Sequence, residues 1–276
     1  MLITTLFLGV LVPALIAGVT CIATWKLVGP WSVALGLGLG YTAGHAGLSG
    51  WPPFPPADVK DWPFWFAAAG VGFGFLKAFC RGPWWIRWLG RALAAAGVPW
   101  LLVSPLATWS AGERLQGAVA LGAGLLVFWS LLEALSERRP GASLPLILWA
   151  SASGTSLVLL FSGSASLGGL SGSLAAALGA SVVLAWWKPS VSFGRGPIPV
   201  VALLLGSFWI LGSLYAEVSA LSTALLLLAP LSGWIGEAPA IGKLAPWKSA
   251  SLRLTVALIL AGTAVGIALS ESGLKG

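Results

Sequence analysis

GLGLGYTAGHAGLSGWPPFPPADVKDWPFW, residues 36–65, decides how the rest of the chain is read. Gly36, Gly40 and Gly44 recur every fourth residue and share one helix face. Small residues on such a face let a second backbone approach closely, which is how helices associate in lipid. Tyr41, Thr42, His45 and Ser49 form a polar stripe on the same helix, and His45 is the only histidine in the chain. WPPFPP, 51–56, then stops the helix, because proline has no N–H and restrains the residue before it. The two Pro-Pro pairs favour an extended polyproline run, with Asp58, Lys60 and Asp61 in water beyond it.

Composition extends this membrane reading to the whole chain. Of 276 residues, 58% are hydrophobic and 8% charged, whereas soluble domains carry roughly 25% charge. The apolar stretches are long and continuous, unlike the short alternating segments of a transmembrane barrel. An all-α polytopic bundle in a lipid bilayer follows, a single membrane domain over 1–276. Ten spans of roughly 20 residues fit: 2–24, 32–50, 64–80, 92–110, 115–135, 143–162, 166–187, 197–216, 218–235 and 252–270. Glycine dilutes the second, and the third is short.

Basic residues set the orientation. With the N-terminus outside, twelve Lys and Arg fall on the cytoplasmic side (26, 77, 81, 87, 91, 138, 139, 188, 195, 243, 248 and 253). Three, at 60, 114 and 275, fall outside. That positive-inside bias places the chain in a bacterial inner membrane with both termini outside the cytoplasm. It also accounts for the net charge of +7 without a nucleic-acid partner, for which no soluble basic face exists. Cys21 and Cys80 then lie near the cytoplasmic face as buried free thiols. RGPWWIRWLGR, 81–91, joins tryptophan to arginine as headgroup-layer segments do, and reads as a short interfacial helix.

Two sequence echoes suggest a repeat. PLATWSAGE, 105–113, and PLSGWIGE, 230–237, both place Trp after Pro-Leu and a glutamate beyond it. ALSE closes the fifth helix at 134–137 and the tenth at 268–271. Halves of about 1–138 and 139–276, five helices each, would insert in opposite senses because five is odd. Such inverted repeats recur in carriers, with substrate at their interface. On this reading Pro105 and Pro230 bend equivalent helices.

Ionisable groups inside a membrane are functional candidates by default. The candidate substrate-binding set is Tyr41, Thr42, His45, Ser49 and Glu133. For Glu133 the competing reading is an ion pair with the Arg138–Arg139 loop, while Lys77 snorkels to the interface. Helix six carries Ser151, Ser153, Thr155, Ser156, Ser162 and Ser164, read chiefly as hydrogen-bonding glue. No HExxH, P-loop or paired Asp motif is present, and His45 is four residues from Ser49 on one helix, which excludes a Ser-His protease pair. No metal site and no enzyme is expected, and the sequence designates no cofactor. The expected function is transporter-like, for a small neutral or weakly polar solute. The alternative is a non-catalytic subunit or scaffold of a membrane complex, with membrane-protein partners or copies of itself, binding pigment or lipid through its 17 tryptophans.

Overall fold

The computed structural model describes residues 2–29, 31–79, 84–138, 142–187, 193, 196–237, 241 and 245–274. Cys80, Arg81, Arg139, Lys188, Arg195, Lys243 and Lys275 lie outside the described residues. The described chain is all-helical. A first rod joins α1 (Leu2–Leu6), a π-helical turn (Phe7–Leu11) and α2 (Val12–Val28). There follow α3 (Trp31–Ser49), α4 (Trp62–Phe79), α5 (Trp84–Val103), α6 (Ala111–Arg138) and α7 (Ser143–Phe161). Then come α8 (Ala165–Trp187), α9 (Pro197–Tyr215), α10 (Ala220–Leu231) with a 3-10 turn over Ser232–Glu237, and α11 (Pro246–Leu274).

Eight of these ten helical units are long and apolar enough to cross a membrane. The chain is a polytopic integral membrane protein. The two units outside that set are α3, diluted by glycine, and α4, which is short and carries Lys77.

The bundle is built around α9. Every residue from Pro197 to Gly212 is buried, and α4, α6, α3 and α5 all pack on it. Hairpins α2/α3 and α7/α8 form the tightest seams, and α5/α6 and α10/α11 close the sides. α3 also packs on α8.

Glycine sets how close the helices come. A Cβ added at Gly36 would lie 2.6 Å from the Ala17 carbonyl oxygen, and one at Gly40 2.7 Å from that of Pro13. Gly44 meets Pro13 and Ser173, where an added Cβ would lie 2.6 Å from the Ser173 hydroxyl. These three glycines therefore seat α3 on α2 and α8. Gly70 and Gly74 do the same for α4, whose backbone runs against that of Val200 and Gly196.

Two interior prolines, Pro13 and Pro230, are answered from neighbouring helices. Pro13 cannot donate to the Gly9 carbonyl one turn back, and the rod takes its π turn there. The Ser173 hydroxyl of α8 donates to that carbonyl at 3.1 Å. Pro230 frees the Leu226 carbonyl of α10 in the same way, and the Ser151 hydroxyl of α7 donates to it at 3.3 Å. The hydroxyls of the predicted sixth span, here α7, thus act as interhelical glue. Ser156 donates to Gly168 at 2.7 Å, and Thr155 accepts from Trp209 Nε1 at 3.0 Å.

Three expectations need correction. Residues 84–91 are not a separate interfacial helix but the first turns of α5, because nothing between Arg91 and Ala92 breaks the helix. α5 therefore ends at Val103, so Pro105 lies in the following turn while Pro230 stands inside α10. The two prolines do not bend equivalent helices; the interior proline of α5 is Pro99. Glu113 belongs to a capping box that opens α6: Ser110 N–H donates to its carboxylate at 2.7 Å, and Glu113 N–H donates to Ser110 Oγ at 3.3 Å. Finally, residues 51–58 bend instead of running as one extended polyproline segment.

Candidate functional sites at the two ends of α4

α4 begins and ends at a polar cluster, and each cluster ties it to another helix. At its start, a short 3-10 turn over Val59–Asp61 folds the chain back over the end of α3. His45 Nε2 comes 3.4 Å from the Lys60 carbonyl oxygen and 3.7 Å from Asp61 Oδ1. The first is a long hydrogen bond and the second an electrostatic contact. Asp61, expected in water, is instead turned inward, its side chain 15% exposed. Asp58 and Lys60 pair outside it at 3.3 Å.

The wall behind His45 is aromatic. Phe64 and Tyr41 meet its ring edge-on, and Tyr41 in turn meets Phe208 of α9. His45 and Tyr41 are fully buried. His45 Nδ1 and the Tyr41 hydroxyl have no hydrogen-bond partner among the described residues, a condition that buried polar atoms rarely keep. The polar stripe read from the sequence divides here. Tyr41 and His45 face inward together, whereas Thr42 bonds its own helix at Leu39 and Ser49 is exposed.

The opposite end of α4 carries Lys77. Its ammonium and the Arg91 guanidinium of α5 grip the two carboxylate oxygens of Glu133 on α6. Lys77 also reaches Glu137 at 3.4 Å. Arg91 donates to Ser130 Oγ at 3.3 Å, and its guanidinium lies 4.8 Å from the Trp88 ring centre and 5.7 Å from that of Trp129. Glu133 thus pairs across helices with Lys77 and Arg91; Arg138 lies near Glu237 at 3.9 Å and over Trp234, and Arg139 lies outside the described residues. Lys77 does not snorkel away: its side chain, like that of Arg91, is 14% exposed.

Two clefts open beside this cluster. One, about 180 Å³, has an apolar lining that includes Phe73, Leu76, Ile86 and Pro199. The other, about 270 Å³, is more polar and includes Trp88, Ser130 and Glu137. Lys77, Arg87, Arg91 and Glu133 line both.

The sequence singles out His45 and Glu133 but not their partners. It puts Asp61 in water, Lys77 at the interface and Arg91 in a surface anchor. The only available signal is cost: charges placed within helices need partners. No protein-family model matches the chain, and no curated protein matches it either.

Proposed function

We propose that the protein is a transporter-like carrier, not an enzyme, in which α4 moves between two latches. The carrying observation is that one short helix is tied to a different neighbour at each end. His45 and Asp61 form one tie; Lys77, Glu133 and Arg91 form the other. A carrier must open to one side while closed to the other, and polar contacts at opposite ends of a moving helix can break and remake at modest net cost. Between the ties, α4 packs on α9 through Gly70 and Gly74, where backbone meets backbone at Val200 and Gly196.

The helix pairing supports two inverted five-helix halves. α3 packs on α8 and α4 on α9, the second and third helices of each half against their counterparts. Each half starts and ends with a packed hairpin. The halves also differ: α11 packs on α7, and among the described residues no comparable seam joins α6 to α2. With the N-terminus outside, as the basic residues favour, the His45 latch is periplasmic and the Glu133 latch cytoplasmic in a bacterial inner membrane. The paired charges make a polar or charged solute group a better match than the neutral or weakly polar solute expected from the sequence.

Ala67 lies fully buried on α4 between the latches, so a cysteine there reports opening. In a background without Cys21 and Cys80, the Ala67→Cys protein in proteoliposomes is expected to react slowly with an impermeant maleimide. Asp61→Asn should speed labelling from the His45 side only, and Glu133→Gln from the other side only. A thiol at position 67 that stays unlabelled in all three proteins leaves the scaffold or subunit reading in place of the carrier.

A further inference from the structure

The two clefts around Arg87 have the shape and polarity of an amphiphile. The smaller has an apolar floor of Phe73, Leu76 and Ile86; the larger is polar and holds Ser130 and Glu137. They are joined through the same three cations, Lys77, Arg87 and Arg91. Those cations face two carboxylates, Glu133 and Glu137, so one positive charge is left over at the junction. Lys77 and Arg91 are already engaged with Glu133. Arg87 is the exposed member and has no carboxylate within ion-pair distance among the described residues. Its neighbours Trp85, Ile86, Trp88 and Leu89 are also exposed, as residues against lipid are.

We propose that this double cleft binds an amphiphile with an anionic oxygen headgroup, a phosphate or carboxylate. The headgroup sits on Arg87, with the Lys77 and Arg91 charges behind it. The apolar tail enters the Phe73–Leu76–Ile86 cleft from the bilayer. Guanidinium suits this role because its planar fork meets two oxygens of a phosphate or carboxylate at once. Gly90 keeps the entrance open: the nearest atom to an added Cβ there is on the Phe73 ring, at 3.3 Å. The source is the membrane itself, an anionic phospholipid, and not a soluble anion, because the Phe73, Leu76 and Ile86 floor beside the cations offers a contact that only an amphiphile with an apolar tail can use.

The site does not require the carrier reading, since binding is measured without a gradient and without opening of either latch. The full chain in a neutral maltoside detergent is titrated with phosphatidylglycerol, phosphatidylcholine or inorganic phosphate while its unfolding midpoint is followed. Phosphatidylglycerol is expected to raise the midpoint in a saturable way, and the other two are not. Arg87→Ala should require about tenfold more phosphatidylglycerol for the same rise, the loss of one charge-assisted contact, while Arg87→Lys, which keeps the charge but not the fork, should fall between wild type and Arg87→Ala. Ile86→Asp, which places a charge at the tail entrance, should weaken it similarly. An equal rise with phosphatidylcholine, an equal rise with phosphate alone, or an unchanged response in Arg87→Ala overturns the proposal. Native mass spectrometry of retained phosphatidylglycerol reads the same comparison independently of stability: equal retention by wild type and Arg87→Ala also overturns it.

Discussion

Ser173 on α8 donates its hydroxyl to the carbonyl of Gly9 at 3.1 Å, the group that Pro13 leaves without a donor. In water such a carbonyl could turn to solvent. In a bilayer it needs a partner from the protein. Ser173→Ala should therefore cost about 1 kcal/mol, the scale of interhelical hydrogen bonds in membranes. Pro13→Ala restores a backbone donor, so the serine should matter less in that background. A double-mutant cycle on thermal unfolding reads the coupling. Full additivity would show that Ser173 serves some purpose other than answering Pro13.

The same reasoning applies to α3 and its glycines. At Gly40 an added side chain would meet the Pro13 carbonyl oxygen at 2.7 Å and Ala17 Cβ at 2.8 Å. Backbone atoms cannot rotate away as a flexible side chain can. Gly40→Leu should lower the unfolding midpoint by several degrees or prevent folding, in line with the cost of overpacking a tight contact. Gly72 on α4 has open space within 4 Å of an added Cβ. Gly72→Leu is the matched control and should leave the midpoint nearly unchanged. Equal loss from both would mean that backbone flexibility, and not close approach, is what Gly40 supplies.

Membrane physics explains which parts of this structure could be read in advance. Helix number and type follow from length and hydropathy, since only hydrogen-bonded helices or closed barrels cross lipid. The placement of α9 at the centre does not follow, because its apolar sequence is what a lipid-facing helix would also show. Burial separates apolar from polar residues in water, but in lipid both surfaces are apolar. Gly36, Gly40 and Gly44 are legible as a contact face because small residues have one common use there. The spacing of Glu113 from Ser110 is that of a capping box and marks the start of α6. The ion cluster is half legible: a charge at Glu133 announces a partner, but nothing local says that it comes from α4 and α5.

Topology has a direct check. Asp58 and Arg138 are both well exposed, their side chains 48% and 58%, and the positive-inside rule puts them on opposite faces. In intact cells lacking Cys21 and Cys80, Asp58→Cys should react with an impermeant reagent added outside. Arg138→Cys should react only after the membrane is opened. The reverse pattern would invert the whole assignment, and outside labelling of both would remove one helix from the count.

The Glu133 cluster yields an asymmetry that separates it from a set of independent pairs. One carboxylate holds two cations, Lys77 on one oxygen and Arg91 on the other. Glu133→Gln keeps the volume but leaves two positive charges facing each other in a buried setting. Removing one member of a buried pair costs about 3–5 kcal/mol, and the mutual repulsion of the two cations adds to that. Lys77→Met leaves Glu133 with Arg91, a balanced pair, and puts apolar atoms against the Phe73–Leu76 cleft, so its cost should be much smaller. Combining Glu133→Gln with Lys77→Met should recover part of the loss, because Arg91 keeps Ser130 and the faces of Trp88 and Trp129. The expected order of unfolding midpoints is wild type, Lys77→Met, the double variant, then Glu133→Gln. If Lys77→Met is as damaging as Glu133→Gln, the carboxylate is not the hub, and α4 is held at this end by the lysine's contact with Glu137 instead.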